Sequence, residues 1–186
     1  MTKRTLQASL NTLADVDQPK GVQLATLTRY DIPALASLHV IAYGAPSTAE
    51  NLWESTDEMR LYFEGAFGQP RDDSFIGAWR DGSLVGAILC VTDVVWDDAP
   101  RGPFVIDLIV DPECRREGIA TVLIAELACR CASWGENDLS LRLDLKSAPD
   151  AQKFYDALGF VEVNAESWQR RTTRFPRFRR CPACCP

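Results

Sequence analysis

Residues 104–127 read FVIDLIVDPECRREGIATVLIAEL. The first seven form an almost continuous apolar run, interrupted only by Asp107, and this predicts a central strand covered on both faces. Further on, Ile119, Val122, Leu123, Leu127, Cys131 and Trp134 recur with helical spacing. Thr121, Glu126, Arg130 and Ser133 face away, and Gly135 closes the helix. Between strand and helix lies RREGIA, 115–120. The N–H groups at a helix start lack intrahelical partners and point outward, and the helix dipole favours negative charge there. Gly118 lets the backbone approach an oxygen closely, and Ala120 adds little bulk. Arg115 and Arg116 supply donors suited to phosphate. The pattern favours a diphosphate across this turn. It is not a Walker loop, because no Gly-Lys-Ser/Thr follows, and a single glycine is too few for a dinucleotide fingerprint. Taken alone, it fits a helix start with two solvated arginines as well.

Outward from this unit, SFIGAWRDGSLVGAILCVTDV (74–94) reads as a hairpin turning at Asp81-Gly82. VQLATLT (22–28) is a short strand. DIPALASLHVIAYG (31–44) is a helix with Asp31 as a cap, Pro33 in its first turn and Gly44 at its end. A second helix runs within 48–68, starting at Thr48 and anchored by Trp53, Leu61 and Tyr62. LSLRLDL (139–145) alternates strictly, as a strand does. SAPDAQKFYDALGF (147–160) holds a short helix with Ala151, Phe154, Tyr155 and Leu158 on its stripe. FVEV and SWQRRTTRF are final strand candidates. A hairpin inside a chain that otherwise crosses over through helices predicts a mixed sheet with helices on both faces.

The 186 residues fit one domain, 46% of them hydrophobic. Residues 1–20 read as a polar, flexible lead-in without the apolar block of a secretory signal, and no apolar run reaches the roughly 20 residues of a membrane span. Seven cysteines, an odd number, with no secretory signal suggest a reducing, cytoplasmic setting. The net charge of −6 is unevenly spread: all 26 acidic residues lie at or before Glu166, and six arginines follow it. An acidic body disfavours nucleic acid and suits a cationic substrate, although it also serves solubility. The basic, cysteine-containing tail, 176–186, ends CPACCP. It is half a zinc site at most, since a structural site needs four ligands, and no metal is expected.

The strand, V-D-P, R-x-x-G-x-A turn and long helix of 104–127 resemble the acetyl-coenzyme A signature of the GNAT superfamily of N-acetyltransferases. DAQKFYDALGF (150–160) resembles the family's second signature, A-x-x-x-Y-x-x-x-G-F, in the right order and at the right spacing. The resemblance implies an acyl-CoA N-acyltransferase fold, α/β, with a mostly antiparallel sheet of about six or seven strands, in one domain spanning 21–175. It implies acetyl-CoA as donor, with the pyrophosphate on Arg115, Arg116, Glu117, Gly118, Ile119 and Ala120. The pantetheine arm would pair with the backbone of Leu108, Ile109 and Val110, where a strand N–H near Val110 also faces the developing oxyanion. Tyr155 matches the tyrosine that protonates the leaving thiolate, unless it only packs the core. Asp107 is the candidate base or amine anchor, on the face of Val105 and Ile109 by alternation. It is otherwise a carboxylate at an open strand splay, with water as the relay.

Two departures stand out. Ala148 replaces a frequent asparagine, and Leu143 stands where relatives that acetylate protein N-termini often carry a glutamate, with Asp144 facing the other way. The resulting expectation is an N-acetyltransferase acting on a primary amine of a small cationic molecule, as a monomer or homodimer. A non-catalytic acyl-CoA-binding domain and a lysine or N-terminal protein acetyltransferase are the alternatives. Residues 43–67 and 93–103 would shape the acceptor site, with His39, Trp53, Tyr62 and Trp96 either near it or merely packed.

Overall fold

In a computed structural model, which describes residues 3–13, 16–144 and 151–164, the apolar run 104–110 is strand β5 (Phe104–Val110) at the middle of a seven-stranded sheet. The other strands are β1 (Lys3–Ser9), β2 (Gln23–Thr26), β3 (Gly68–Arg80), β4 (Ser83–Val94), β6 (Asp138–Asp144) and β7 (Val161–Glu162), in the order β2-β3-β4-β5-β6-β1-β7. Only β5 and β6 pair in parallel; every other neighbouring pair is antiparallel. The helices are α1 (Ile32–Ala42), α2 (Ala49–Glu64), α3 (Ile119–Ser133) and α4 (Ala151–Ala157). This is the mixed, mostly antiparallel sheet that the sequence predicts.

Two buried clusters divide along the pleat of β4. Ile88 and Cys90 point to the side of α3, with Leu123, Leu127 and Tyr155, whereas Leu89 points to the side of α1 and α2, with Leu35, Leu38 and Met59. Gly86 sits under the start of α3: a Cβ there would lie 2.6 Å from Ile119 Cγ2, so glycine lets helix and sheet approach. The Asp81-Gly82 turn is left-handed at both residues, with φ of 50° and 78°, as a tight hairpin requires.

Several expectations are corrected. Residues 3–9 are no loose lead-in but strand β1, inserted between β6 and β7, so the folded unit begins well before residue 21. Burial of Leu6 and Ala8 against the α3-side core holds the strand in place. Trp53 and Leu61 do not anchor α2; they are exposed, and Ser55, Met59 and Tyr62 are its buried residues. Thr48 does cap α2, accepting from Asn51 N–H. The Asp31 side chain makes no bond to α1 but turns back to accept from the Thr28 N–H and hydroxyl, at 2.7 and 2.9 Å. The 167–175 strand candidate, the 176–186 tail and Ala148 lie outside the described residues.

Candidate active site

Strand β5 carries a bulge at the carboxylate. Leu89 pairs with Asp107 and Cys90 with Val105, which leaves Ile106 as an extra residue on β5. The alternation therefore slips. Val105 belongs to the α3-side core, while Asp107 and Ile109 face α1 and α2. The sequence expectation held for Ile109 and failed for Val105, because a bulge leaves no mark in a run of apolar residues.

The bulge also marks the end of β5–β6 pairing, which consists of Phe104↔Ser140 and Val105↔Leu141. Past it the two parallel strands separate, and the stretch holding Leu108, Ile109 and Val110 has β4 as a neighbour on one side only. An extended chain with amide groups fits that open edge.

Around Asp107 the fold assembles a group of polar side chains from α1, α2 and β5. Tyr43, just past α1, donates its hydroxyl to Asp107 Oδ1 at 3.1 Å. His39 of α1 places Nε2 at 4.0 Å from Asp107 Oδ2 and 3.8 Å from Glu58 Oε2. The Tyr62 hydroxyl donates to Glu58 Oε1 at 3.0 Å. Ser55 Oγ lies 3.0 Å from His39 Nδ1 and donates to the Ala36 carbonyl at 3.1 Å. The spacing explains the convergence: His39 and Tyr43 are four residues apart along α1, and Ser55, Glu58 and Tyr62 share one face of α2.

Burial pushes the Asp107 carboxyl up to about 6, against the pull of the His39 ring and the Tyr43 hydroxyl. Burial, with the Asp107 charge second, also raises Tyr43 and Tyr155, so both keep their protons and can donate them. Tyr155 is buried on α4 against Phe154 and Phe160, with ring centroids 5.1 and 5.4 Å away. It is at once a core residue and a side chain within reach of the Asp107 field.

A cavity of about 150 Å³ opens beside this group, lined by His39, Tyr43, Asn51, Glu54, Ser55 and Glu58 among others. The 93–103 loop surrounds a separate cavity of about 280 Å³ at Trp96 and Asp97. None of the side chains around Asp107 lines it.

The turn before α3 has the geometry of an anion cradle. Gly118 is the N-cap residue at φ 85°, and no side chain caps the helix. Arg116 is also left-handed, φ 66°, a strained conformation for a residue with a Cβ. Ile119 is buried and Ala120 half-buried, so their contribution to an anion is backbone N–H. Glu117 would repel phosphate, but Arg80 holds it at 2.6 Å. Arg115 is not aimed only at a ligand: its guanidinium donates to the Ala42 carbonyl at 2.8 Å and the Val110 carbonyl at 3.3 Å, tying the turn to the end of α1.

The model of the acetyltransferase (GNAT) family matches residues 33–160. The chain belongs to the GNAT acetyltransferase family. None of the curated proteins compared with it matches. Among solved structures, a GCN5-related N-acetyltransferase from Sphaerobacter thermophilus superposes with a TM-score of 0.62 at 19% identity, covering 87% of this chain and 48% of that one. The ribosomal-protein-S18-alanine N-acetyltransferase from Escherichia coli gives 0.56 at 20% identity, covering 77% and 79%. Ard1 from Thermoplasma volcanium gives 0.53 at 21% identity, covering 76% and 83%. These likenesses establish the fold, and the chain spans about half the length of the Sphaerobacter protein.

GNAT proteins use acetyl-CoA. Its two halves fit what the chain offers: an uncapped helix start at a left-handed glycine for the pyrophosphate, and a one-sided strand edge beyond Val105 for the pantetheine amides. Sequence reasoning singled out Asp107 and Tyr155 but not Tyr43, Ser55, Glu58 or Arg80, and it left His39 undecided. The signal that pointed there was the family resemblance, which assigned the acceptor site to residues 43–67 and put His39 and Tyr62 near it.

Proposed function

We propose that this GNAT protein transfers an acetyl group from acetyl-CoA to a primary amine of a small cationic molecule. The observation that carries the reading is the cavity between α1 and α2, walled by Glu54, Glu58, His39 and Tyr43, with the Asp107 carboxylate behind it at the bulge. Its oxygens and its aromatic face suit an ammonium group.

Acetyl-CoA would supply the activated acyl group. The backbone N–H groups of 118–120, with Arg116, would hold its diphosphate, and the β5 edge at Leu108, Ile109 and Val110 would align the arm. Asp107 and Glu58 draw the ammonium into the cavity and stabilise it there. Tyr155, kept protonated by burial, is the donor for the departing sulfur. Leu143 supports a small-molecule acceptor over a protein N-terminus: an apolar side chain, buried in the cluster of Leu6, Leu141 and Tyr155, stands where such enzymes often carry a glutamate.

Steady-state kinetics test this. Tyr155→Phe lowers kcat by about 10²-fold or more with coenzyme A affinity unchanged, and Glu58→Gln raises KM for a cationic amine. A Tyr155→Phe variant with full kcat removes the acid role. A Glu58→Gln variant with unaltered KM removes the acidic cavity as the acceptor site.

A further inference from the structure

Ser55 decides what the single histidine of this chain can do. Its hydroxyl carries one proton and makes two contacts, to the Ala36 carbonyl at 3.1 Å and to His39 Nδ1 at 3.0 Å. A carbonyl can only accept, so the serine proton goes to Ala36, and Oγ then accepts from His39 Nδ1–H. Only the Nδ1–H form of the ring satisfies both contacts. In the neutral ring that leaves a lone pair on Nε2.

His39 lines the cavity, and its Nε2 lies near two carboxylates. Glu58 Oε2 is 3.8 Å away and Asp107 Oδ2 is 4.0 Å away, both too far for a direct hydrogen bond. Each separation is one that a single donor nitrogen can bridge, bonded to the imidazole and to a carboxylate oxygen. Asp107 Oδ2 is buried and has no hydrogen-bond partner among the described residues, whereas Oδ1 is taken by Tyr43. An acceptor left open in this way calls for a donor. His39 and Glu58 line the cavity and Asp107 does not, so an amine entering it meets the imidazole first.

We infer that His39 is the proton acceptor for the reacting amine, with Ser55 as the residue that positions its ring. This rests on the acetyl-transfer reading above. The substrate ammonium gives one proton to Nε2, and the flanking Asp107 and Glu58 carboxylates stabilise the imidazolium. Glu58, half-exposed at the mouth, passes that proton to water. The freed lone pair forms the C–N bond to the acyl carbon as the C–S bond breaks. Tyr155 protonates the departing sulfur, and the second proton of the attacking nitrogen restores the tyrosine. In sum, R–NH₃⁺ and an acetyl thioester give the amide, the thiol and one proton.

The titratable groups facing the ring are Tyr43 on its own side, Glu58 and Glu54 from α2, and Asp107 from β5; Tyr62 acts through Glu58, and Tyr155 is coupled to Asp107 by charge. The chain has one histidine, so its ring nitrogens give one pair of signals. Long-range ¹H–¹⁵N correlation spectra of the full chain near neutral pH are expected to show the Nδ1–H tautomer, with the Nε2 resonance shifting when 1,4-diaminobutane is added. An Nε2–H tautomer overturns the proposal without any variant being made.

In turnover, His39→Gln is expected to lose about 10²–10⁴-fold in kcat at pH 7.5, with coenzyme A affinity by calorimetry unchanged. The deficit shrinks as pH approaches the ~10.4 of a free alkylamine, which then arrives already deprotonated. Ser55→Ala releases the ring, giving mixed tautomers and a smaller, roughly tenfold loss in kcat, less than the loss of the base itself. A His39→Gln variant within twofold of an active wild type sinks the base role alone. A wild type that turns over no amine sinks the transfer reading and this role with it.

Discussion

At Asp107 the chain keeps a carboxylate 8% exposed in the middle of its sheet, with one oxygen bonded to Tyr43 and the other without a partner among the described residues. Such a group weakens the fold whenever it is charged. Its folded-state pKa of about 6 lies above the ordinary 3.8, so the folded chain binds the proton more tightly than the unfolded one. The stability contributed by this site is therefore full below about pH 4 and is lost as pH rises through about 6. Asp107→Asn should match the wild type near pH 4 and exceed it at pH 8, by about 1–3 kcal/mol at 1.36 kcal/mol per pKa unit. Urea titrations of the two proteins at several pH values check this. The same variant should acetylate poorly, a trade of stability against activity that marks a functional group.

Two elements show why part of the site was readable and part was not. The β5-turn-α3 unit is local: its strand, glycine and helix stripe are contiguous, so the sequence alone shows the strand, the turn and the helix start that make it a candidate cradle. The bulge at Ile106 is not readable, since it is a mismatch with β4 and not a property of β5. His39 is visible in the sequence as one residue, but its partners Ser55, Glu58 and Asp107 are 16 to 68 positions away and meet only when α1, α2 and β5 pack. Arg80 is likewise distant from Glu117, with which it forms an ion pair beside the turn that leads into α3. Arg80→Ala should therefore weaken coenzyme A binding about tenfold, an order-of-magnitude effect of freeing one carboxylate near a phosphate. Arg80→Ala combined with Glu117→Gln should recover most of it. Calorimetric titration of the three variants measures the coupling, and a double variant no better than the single one contradicts it.

Across the whole molecule, the order β2-β3-β4-β5-β6-β1-β7 places the first strand between two of the last. The sequence read residues 3–9 as a polar lead-in because their strand partners lie 129 or more positions away and Lys3, Arg4, Thr5 and Gln7 outnumber the apolar residues. The fold instead closes on this strand, with Leu6 fully buried opposite Leu141. Leu6→Ala should cost about 2–5 kcal/mol by leaving a cavity, read as a lower urea midpoint. A variant as stable as the wild type would show that β1 is dispensable.

The central claim is that this GNAT domain joins a donor site at Gly118 to a cationic acceptor site at Asp107, His39 and Glu58. Thiol release from acetyl-CoA, followed at neutral pH across a panel of small mono- and diamines and neutral analogues, tests it most directly. The account predicts release that depends on a cationic primary amine and yields its acetamide. Tight binding of acetyl-CoA with no amine-dependent release would contradict it and leave a domain that holds the thioester without using it.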